Sequence, residues 1–426
     1  MTKKTAFYLG IFFVAAGLIT NTWTVRLLLM PKEYVASPKF TVAVVIFQII
    51  SVFLGLFLLI KKPAPSSKNI FLFISSIIFI FVLCEIGAKI WLHFIAPPDQ
   101  YFKYELYKDL KPEDFRYTPH HYLNYQLSPD YKKGLTYHNS LGYRNREFSL
   151  EKPKGIYRIV VLGGSTAYTI KVEENEKTFT YQLEKTLRDV YNHENIEVIN
   201  AGVAGYNSWE SLIRLEFQVL DLDPDLVIVY HGTNDVHTRL VVPEAYKADN
   251  SGRRKQWDPP SIPFFEYSCL LRIISRRLRI TNQVGLGSFV NGPDYIGEES
   301  TLTHIQALYD PRELLRKNLP VYFQRNLINM IAIAKAHGIE ILLSTWAYSS
   351  GFNDYAATEH YQIGFNENNA VVREVAENHG AYLFDFVRAM SQEKKYWADG
   401  RHVNEEGALL KARLFAEFIH SSDLIK

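Results

Sequence analysis

The sequence predicts an α/β fold: a five-stranded parallel sheet packed between two layers of helices and preceded by about three transmembrane helices. Three observations carry this expectation. From Ile156 onward, β-branched runs alternate with helical patterns, the signature of a parallel sheet. Three of those runs end in turns rich in Gly, Ser or Asn, where open α/β sheets build their sites. Phe40 to Ile60 is a 21-residue stretch whose only polar members are Thr41, Gln48 and Ser51, long enough to cross a hydrocarbon core as a helix.

Composition sets the bounds. With 426 residues, 47% apolar and 22% charged, the chain can bury a sizeable core, and one globular domain with an appendage fits that length. A net charge of +2 gives no reason to expect a nucleic-acid partner. Of the two cysteines, Cys84 lies in a strongly apolar stretch, which argues against a structural disulfide with Cys269.

Residues 1–96 read as a membrane anchor with spans at 6–25, 40–60 and 70–96. Thr20 to Thr24 interrupt the first apolar stretch, and Glu85 and Lys89 lie within the third. A cleaved signal peptide is the competing reading of the first stretch, because Lys3 and Lys4 precede an apolar run; no clear small-x-small cleavage site precedes the next. Glu85 and Lys89 are one helical turn apart. They suit a mutually neutralising pair near the membrane surface, with Lys89 reaching to headgroups; an ion path is the other reading. Lys3, Lys4, Lys61, Lys62 and Lys68 fall on one side, against Arg26, Lys32 and Lys39 in the opposite loop. That bias favours a cytoplasmic amino terminus and, after an odd number of spans, a large carboxyl-terminal part outside the cytoplasm, although Lys103, Lys108 and Lys111 oppose it.

Residues 97–150 form an aromatic-rich lead-in expected to pack on the domain at 151–426. In that domain the pattern gives strand 157–162, helix 176–191, strand 196–199, helix 208–220 and strand 226–230. A second half follows with helix 312–337, strand 339–344, helix 363–379, strand 381–384 and helix 405–419. Between the halves lies an insertion at 236–311 holding Pro243, Pro259, Pro260, Pro263 and Pro293; irregular insertions of that length are usually functional or mobile.

Four short segments carry the chemistry: Gly163-Gly164-Ser165-Thr166, Asn200-Ala201-Gly202-Val203-Ala204-Gly205, Gly232-Thr233-Asn234-Asp235 and Asp399-Gly400-Arg401-His402. Two glycines before Ser165 permit a tight turn that leaves its hydroxyl uncovered. The bare backbone of Gly205 lets its N–H approach a developing oxyanion, and Asn234 offers side-chain donors to the same point. His402 supplies a general base, with Asp399 three residues earlier to hold the other ring nitrogen. Taken singly, each has a plain alternative: a turn, a loop glycine, a helix-capping asparagine, ordinary loop polarity. Together they are what acyl transfer requires. The first segment matches neither dinucleotide nor P-loop patterns, and the chemistry calls for no cofactor and no metal.

In order and content, these segments resemble the four blocks of SGNH/GDSL hydrolases over about residues 150–422. The resemblance implies a flavodoxin-like αβα sandwich with Ser165 as nucleophile, Gly205 and Asn234 as oxyanion donors, and His402 with Asp399 as base and orienter. The first block reads Gly-Gly-Ser-Thr rather than Gly-Asp-Ser-Leu, which keeps the nucleophile and departs from the namesake lipases. Asn139-Ser140-Leu141-Gly142-Tyr143-Arg144 is similar to the lead-in of membrane-anchored bacterial members, which implies a multi-pass inner-membrane protein with a periplasmic domain.

The substrate has no readable code. Tyr267, Leu270, Leu271, Ile274 and Leu278 share one helical face, with Arg272, Arg276 and Arg279 largely opposite. That helix suits anionic headgroups, a lid, or plain packing of its apolar face on the domain. Tyr101, Phe102, Tyr104, Tyr107, Tyr117, Tyr122 and Tyr125 suit either a sugar-stacking platform or packing of the lead-in. The expected partners are the bilayer and an acyl ester, acetyl or another short chain, on an envelope glycan or lipid. An O-acyltransferase using the same serine and a catalytically silent envelope-binding module are the alternatives.

Overall fold

The computed structural model describes residues 3–29, 38–61, 66–110, 115–259, 261–278, 280–281, 286–292 and 309–425. The expectations that rest on Lys32, Lys62, Lys111, Pro260, Arg279 and Pro293 lie outside these residues. Two compact units are formed, Met1–Leu110 with Pro259–Phe289, and Lys111–Asp258 with Val290–Lys426. The division differs from the expected domains. Residues 97–110 fall with the amino-terminal unit, and so does the middle of the 236–311 insertion.

In the first unit, α1 (Lys3–Ile19) is followed by α2 (Thr22–Leu29), α3 (Pro38–Lys61), α4 (Ser67–Ile90) and α5 (Pro98–Tyr104). The stretch 6–25 is not one helix. It ends at Ile19, and the Asn21 side chain accepts from the N–H groups of Trp23 and Thr24 to start the next. At 17 residues, α1 spans about 26 Å, short of a hydrocarbon core of about 30 Å. Among the described residues two helices are long and apolar enough to cross a membrane, Thr41–Lys61 and Phe71–Ile95; the latter joins most of α4 to a π-turn at Trp91–Ile95. Helices α1 and α3 meet through small residues: a Cβ on Gly17 would lie 2.8 Å from Val52, and one on Gly55 would lie 2.6 Å from Val14. Close approach through glycines is how helices associate where no water drives them together.

The second unit holds the sheet. Strands β1 (Tyr157–Gly163), β2 (Ile196–Asn200), β3 (Leu226–Tyr230), β4 (Glu340–Ser344) and β5 (Tyr382–Phe384) lie in the order β2-β1-β3-β4-β5, all parallel. This is the doubly wound order with its switch point beside β1. The helices are α6 (Ser165–Tyr168), α7 (Phe179–Asp189), α8 (Ser208–Arg214), α9 (Thr233–Arg239), α10 (Val321–Ala336), α11 (Glu359–His379) and α12 (Glu405–Ser421). Alternate strand residues serve opposite faces. Ile159, Val161, Leu226 and Ile228 pack under Phe179, Leu183 and Phe415, while Val160, Leu162, Val227 and Val229 pack against Leu327, Met330 and Val372. All five side chains of β3 are at most 2% exposed, each contributing about 1.5–3 kcal/mol of burial if apolar. Strand ends are in register, Gly163 beside Tyr230 and Tyr230 beside Ser344, which aligns the turns that follow.

Two expected helices are shorter than their patterns. The 312–337 pattern is divided into Pro311–Lys317 and α10, because Pro320 has no N–H to continue the ladder. The 208–220 helix turns into a π-turn at Leu215–Val219. The lead-in residues of this unit are bonded to the sheet domain: Arg144 donates to the carbonyls of Tyr168, Thr169, Val172 and Glu173, fixing the chain after α6. Tyr125 is fully buried and Tyr104 nearly so, so neither offers a ring face for stacking. The ends of the 256–289 excursion are clipped together, Lys255 N–H donating to Val290 and Gly292 N–H to Arg253.

Candidate active site

The aligned strand ends bring the four segments together. Ser165 is the first residue of α6, directly after β1 and Gly164. A Cβ on Gly164 would lie 2.6 Å from the Asn234 amide nitrogen, so glycine there is what admits Asn234 beside the serine. His402 lies in the loop before α12, whose first turn is capped by the Asn404 side chain accepting from Gly407. Its Nε2 is 2.8 Å from Ser165 Oγ, and its Nδ1 is 2.9 Å from both oxygens of Asp399. Asp399 Oδ1 also accepts from the backbone N–H groups of Arg401 and His402 at 2.9 Å, and Lys171 Nζ lies 3.6 Å from Oδ2.

Electrostatics match this geometry. Burial alone would raise the Asp399 carboxyl, but the His402 hydrogen bond and charge and the two backbone donors outweigh it, holding it down at about 2. Burial lowers His402 from its ordinary value, with Asp399 pulling the other way. A neutral imidazole whose Nδ1–H donates to a carboxylate presents a bare Nε2 to the hydroxyl.

An open cleft of about 290 Å³, solvent included, is lined by Ser165, Asn234, His402, Gly232, Trp346 and Arg401 among others. Asn234 Nδ2 donates one hydrogen to Tyr206 O at 2.8 Å, which leaves the second, and its own carbonyl accepts from Arg253 at 2.9 Å. Gly205 is not among the residues lining this cleft. It sits at φ 90°, where a Cβ would overlap the Tyr125 hydroxyl; its carbonyl accepts from Arg254, and among the described residues its N–H has no protein acceptor.

Several supporting residues had no local signal in the sequence. Arg254, paired at 3.0 Å with the fully buried Glu210, holds the Gly205 carbonyl, as Arg253 holds that of Asn234; both stand at the root of the excursion. Lys411 on α12 is buried over the Tyr230 ring at 3.7 Å and donates to Thr166 O at 3.3 Å; burial lowers its pKa. Asp235 accepts from Ser208 N–H and is pushed by burial up to about 7. Among the described residues no group of three or more His, Cys, Asp or Glu is placed to hold a metal ion.

A serine on the turn after the first strand of a β2-β1-β3-β4-β5 sheet, with a histidine and an aspartate in reach, defines an α/β acylhydrolase. The chain belongs to the GDSL-like lipase/acylhydrolase family, whose sequence profile matches residues 161–410. It is similar in structure to a lipase/acylhydrolase from Enterococcus faecalis, with 18% identity, coverage of 63% of this chain and 97% of that one, and a TM-score of 0.38. A GDSL-like lipase from Bacteroides thetaiotaomicron matches at 18% identity, 64% and 92% coverage and a TM-score of 0.35. An acetyl xylan esterase from Geobacillus stearothermophilus matches at 15% identity, 62% and 94% coverage and a TM-score of 0.38. No curated protein matches the sequence.

Proposed function

We propose that this protein is a membrane-anchored serine esterase that removes short acyl groups, acetyl above all, from a cell-envelope glycan or lipid. The observation that carries the proposal is the 2.8 Å contact between Ser165 Oγ and His402 Nε2, with Asp399 on the far side of the ring. His402 Nε2 takes the hydroxyl proton as Ser165 Oγ bonds to the ester carbon. The carbonyl electron pair becomes an oxyanion, held by the Gly205 N–H and the free Asn234 amide hydrogen. The imidazolium then protonates the leaving alcohol as its C–O bond breaks. Water attacks the acyl-serine, giving its proton to His402, and the acid departs as that proton returns to Ser165.

A cleft walled by Trp346 and Arg401 suits a short acyl chain on a polar alcohol. Two long apolar helices support anchoring, and α1, packed on α3, serves as a third membrane segment; with Lys3, Lys4, Lys61 and Lys68 cytoplasmic, the hydrolase unit is periplasmic.

The test is Ser165→Ala in the purified full chain against short and long p-nitrophenyl esters, with acyl transfer to an added glycan measured alongside. Activity should vanish in the variant and be greatest for acetate in the native enzyme. Undiminished hydrolysis by a folded Ser165→Ala protein overturns the assignment.

A further inference from the structure

The helix Cys269–Arg277 in the insertion is built inside out for water. Arg272 and Arg276 are 3% and 7% exposed, whereas Phe264 and Tyr267 just before it, Ile274 in it and Leu278 at its end are 78%, 54%, 43% and 51% exposed. Arg272 and Arg276 are bonded inward. Arg272 donates to Tyr104 O, Glu266 O and Glu105 Oε1, and Arg276 to the carbonyls of Lys103 and Glu105 and to Glu266 Oε2. These two therefore do not reach headgroups; Ile273 packs inward, whereas Phe264, Ile274 and Leu278 stay exposed and Tyr267 is covered by Lys108, whose Nζ lies 4.8 Å from its ring centroid. A helix that turns two of its three arginines inward, leaves Arg277 exposed at its end and shows these apolar residues suits a boundary between apolar and polar surroundings.

What surrounds it is set by its attachment. The Glu85 carboxylate of α4 accepts from Ser268 Oγ at 2.8 Å and from the N–H groups of Cys269 and Leu270 at 2.9 Å. Lys89 lies 3.6 Å away. These N–H groups belong to the first turn of the insertion helix and have no intrahelical acceptor, a defect that hydrocarbon does not tolerate. The apolar helix Phe71–Ile95 has 25 residues, about 37 Å, against a core of about 30 Å. Glu85 is ten residues, about 15 Å, before Ile95. Even if the whole surplus of about 7 Å lies outside the hydrocarbon at the Ile95 end, Glu85 lies about 8 Å inside it, the depth at which interfacial helices sit.

We infer that the segment Phe264–Leu278 is a monotopic membrane element: its apolar face is immersed in the bilayer that α4 crosses, and Glu85 is the post to which its amino end is tied. This deepens the proposed function and rests on α4 being a membrane span. It accounts for an acidic residue in an apolar helix without an ion path, and makes the insertion of the hydrolase a lipid-contacting part.

Single cysteines at Tyr267, Ile274 and Leu278, in a Cys84→Ser/Cys269→Ser background, carry a nitroxide in the full chain in phosphatidylcholine–phosphatidylglycerol vesicles. Controls are Ile78→Cys in α4 and Lys185→Cys on the hydrolase unit. The three labels should collide with oxygen in preference to a water-soluble nickel chelate, as at 78 and opposite to 185. Chelate-accessible labels with a lipid-like 78 overturn the immersion and leave the span standing, whereas a chelate-accessible 78 overturns both. Shielding from both reagents means a protein covers the face, a second copy or another chain, and also overturns it. Glu85→Ala should narrow the line shape at 274; an unchanged line shape overturns the tether.

Discussion

Gly205→Ala is the sharpest probe of the oxyanion arrangement. Residue 205 has φ 90°, and a Cβ there overlaps the hydroxyl of Tyr125, a fully buried ring pinned by its 2.8 Å bond to Ala204 O. Left-handed backbone costs a side chain about 1–2 kcal/mol. Overpacking a rigid site costs about 1–3 kcal/mol. The main chain at 204–206 can relieve both only by moving its N–H. The sum, about 2–5 kcal/mol, brackets the about 2.7–4 kcal/mol carried by one oxyanion donor, so kcat should fall by about 10²–10³. The assay is steady-state hydrolysis of p-nitrophenyl acetate by the full chain in detergent, with thermal unfolding to confirm the fold and with KM nearly unchanged. Adding Tyr125→Phe removes the overlap but not the backbone strain, and should restore about 5- to 150-fold, the rate equivalent of 1–3 kcal/mol. Full kcat in Gly205→Ala would refute the role of this amide. A double variant no faster than the single would refute the steric account.

Asp399→Asn keeps the shape of the loop but lets the histidine adopt the wrong tautomer, and kcat should fall by about 10⁴ with KM little changed; a loss under tenfold counts against the orienting role. Because burial holds His402 below its ordinary 6.5, kcat/KM should stay level through neutrality and fall only in acid, with a midpoint under that value; a midpoint at or above 6.5 contradicts it. Asp235, raised to about 7, keeps its proton in the folded state while the unfolded chain releases it above about 3.8, so folding loses stability as pH climbs from 4 to 7. Asp235→Asn should therefore gain in Tm relative to the native protein between pH 4 and pH 8, and a gap that shrinks with pH refutes this.

The sheet was legible because its strands are buried on both faces and read as unbroken runs such as Leu226–Tyr230, whereas its strand order was not read from the residues. The meeting of Ser165 with His402, 237 positions apart, could be expected only from the family likeness, since nothing local encodes it. Pro320 did announce a break in the 312–337 pattern, but the apolar periodicity on either side concealed it. Helical spacing revealed the two faces of Cys269–Arg277, yet periodicity does not say which face is covered, and a rule that puts charge outward gives the reverse of what Glu105 and Glu266 impose. Arg253 and Arg254 left no trace because the groups they hold at Asn234 and Gly205 are backbone carbonyls, and every residue has one.

The clipped root of the excursion makes the insertion separable in principle. Lys255 and Val290 already stand at hydrogen-bonding distance, so a two-residue turn can join them without moving either strand of the clip. A shortened chain lacking 256–289 would keep both arginines and their grip on Asn234 and Gly205, and would shed Phe264, Tyr267 and Ile274. Lengthening the segment at the same stitch carries little thermodynamic penalty, since closing a longer loop costs only about 0.6 kcal/mol per doubling.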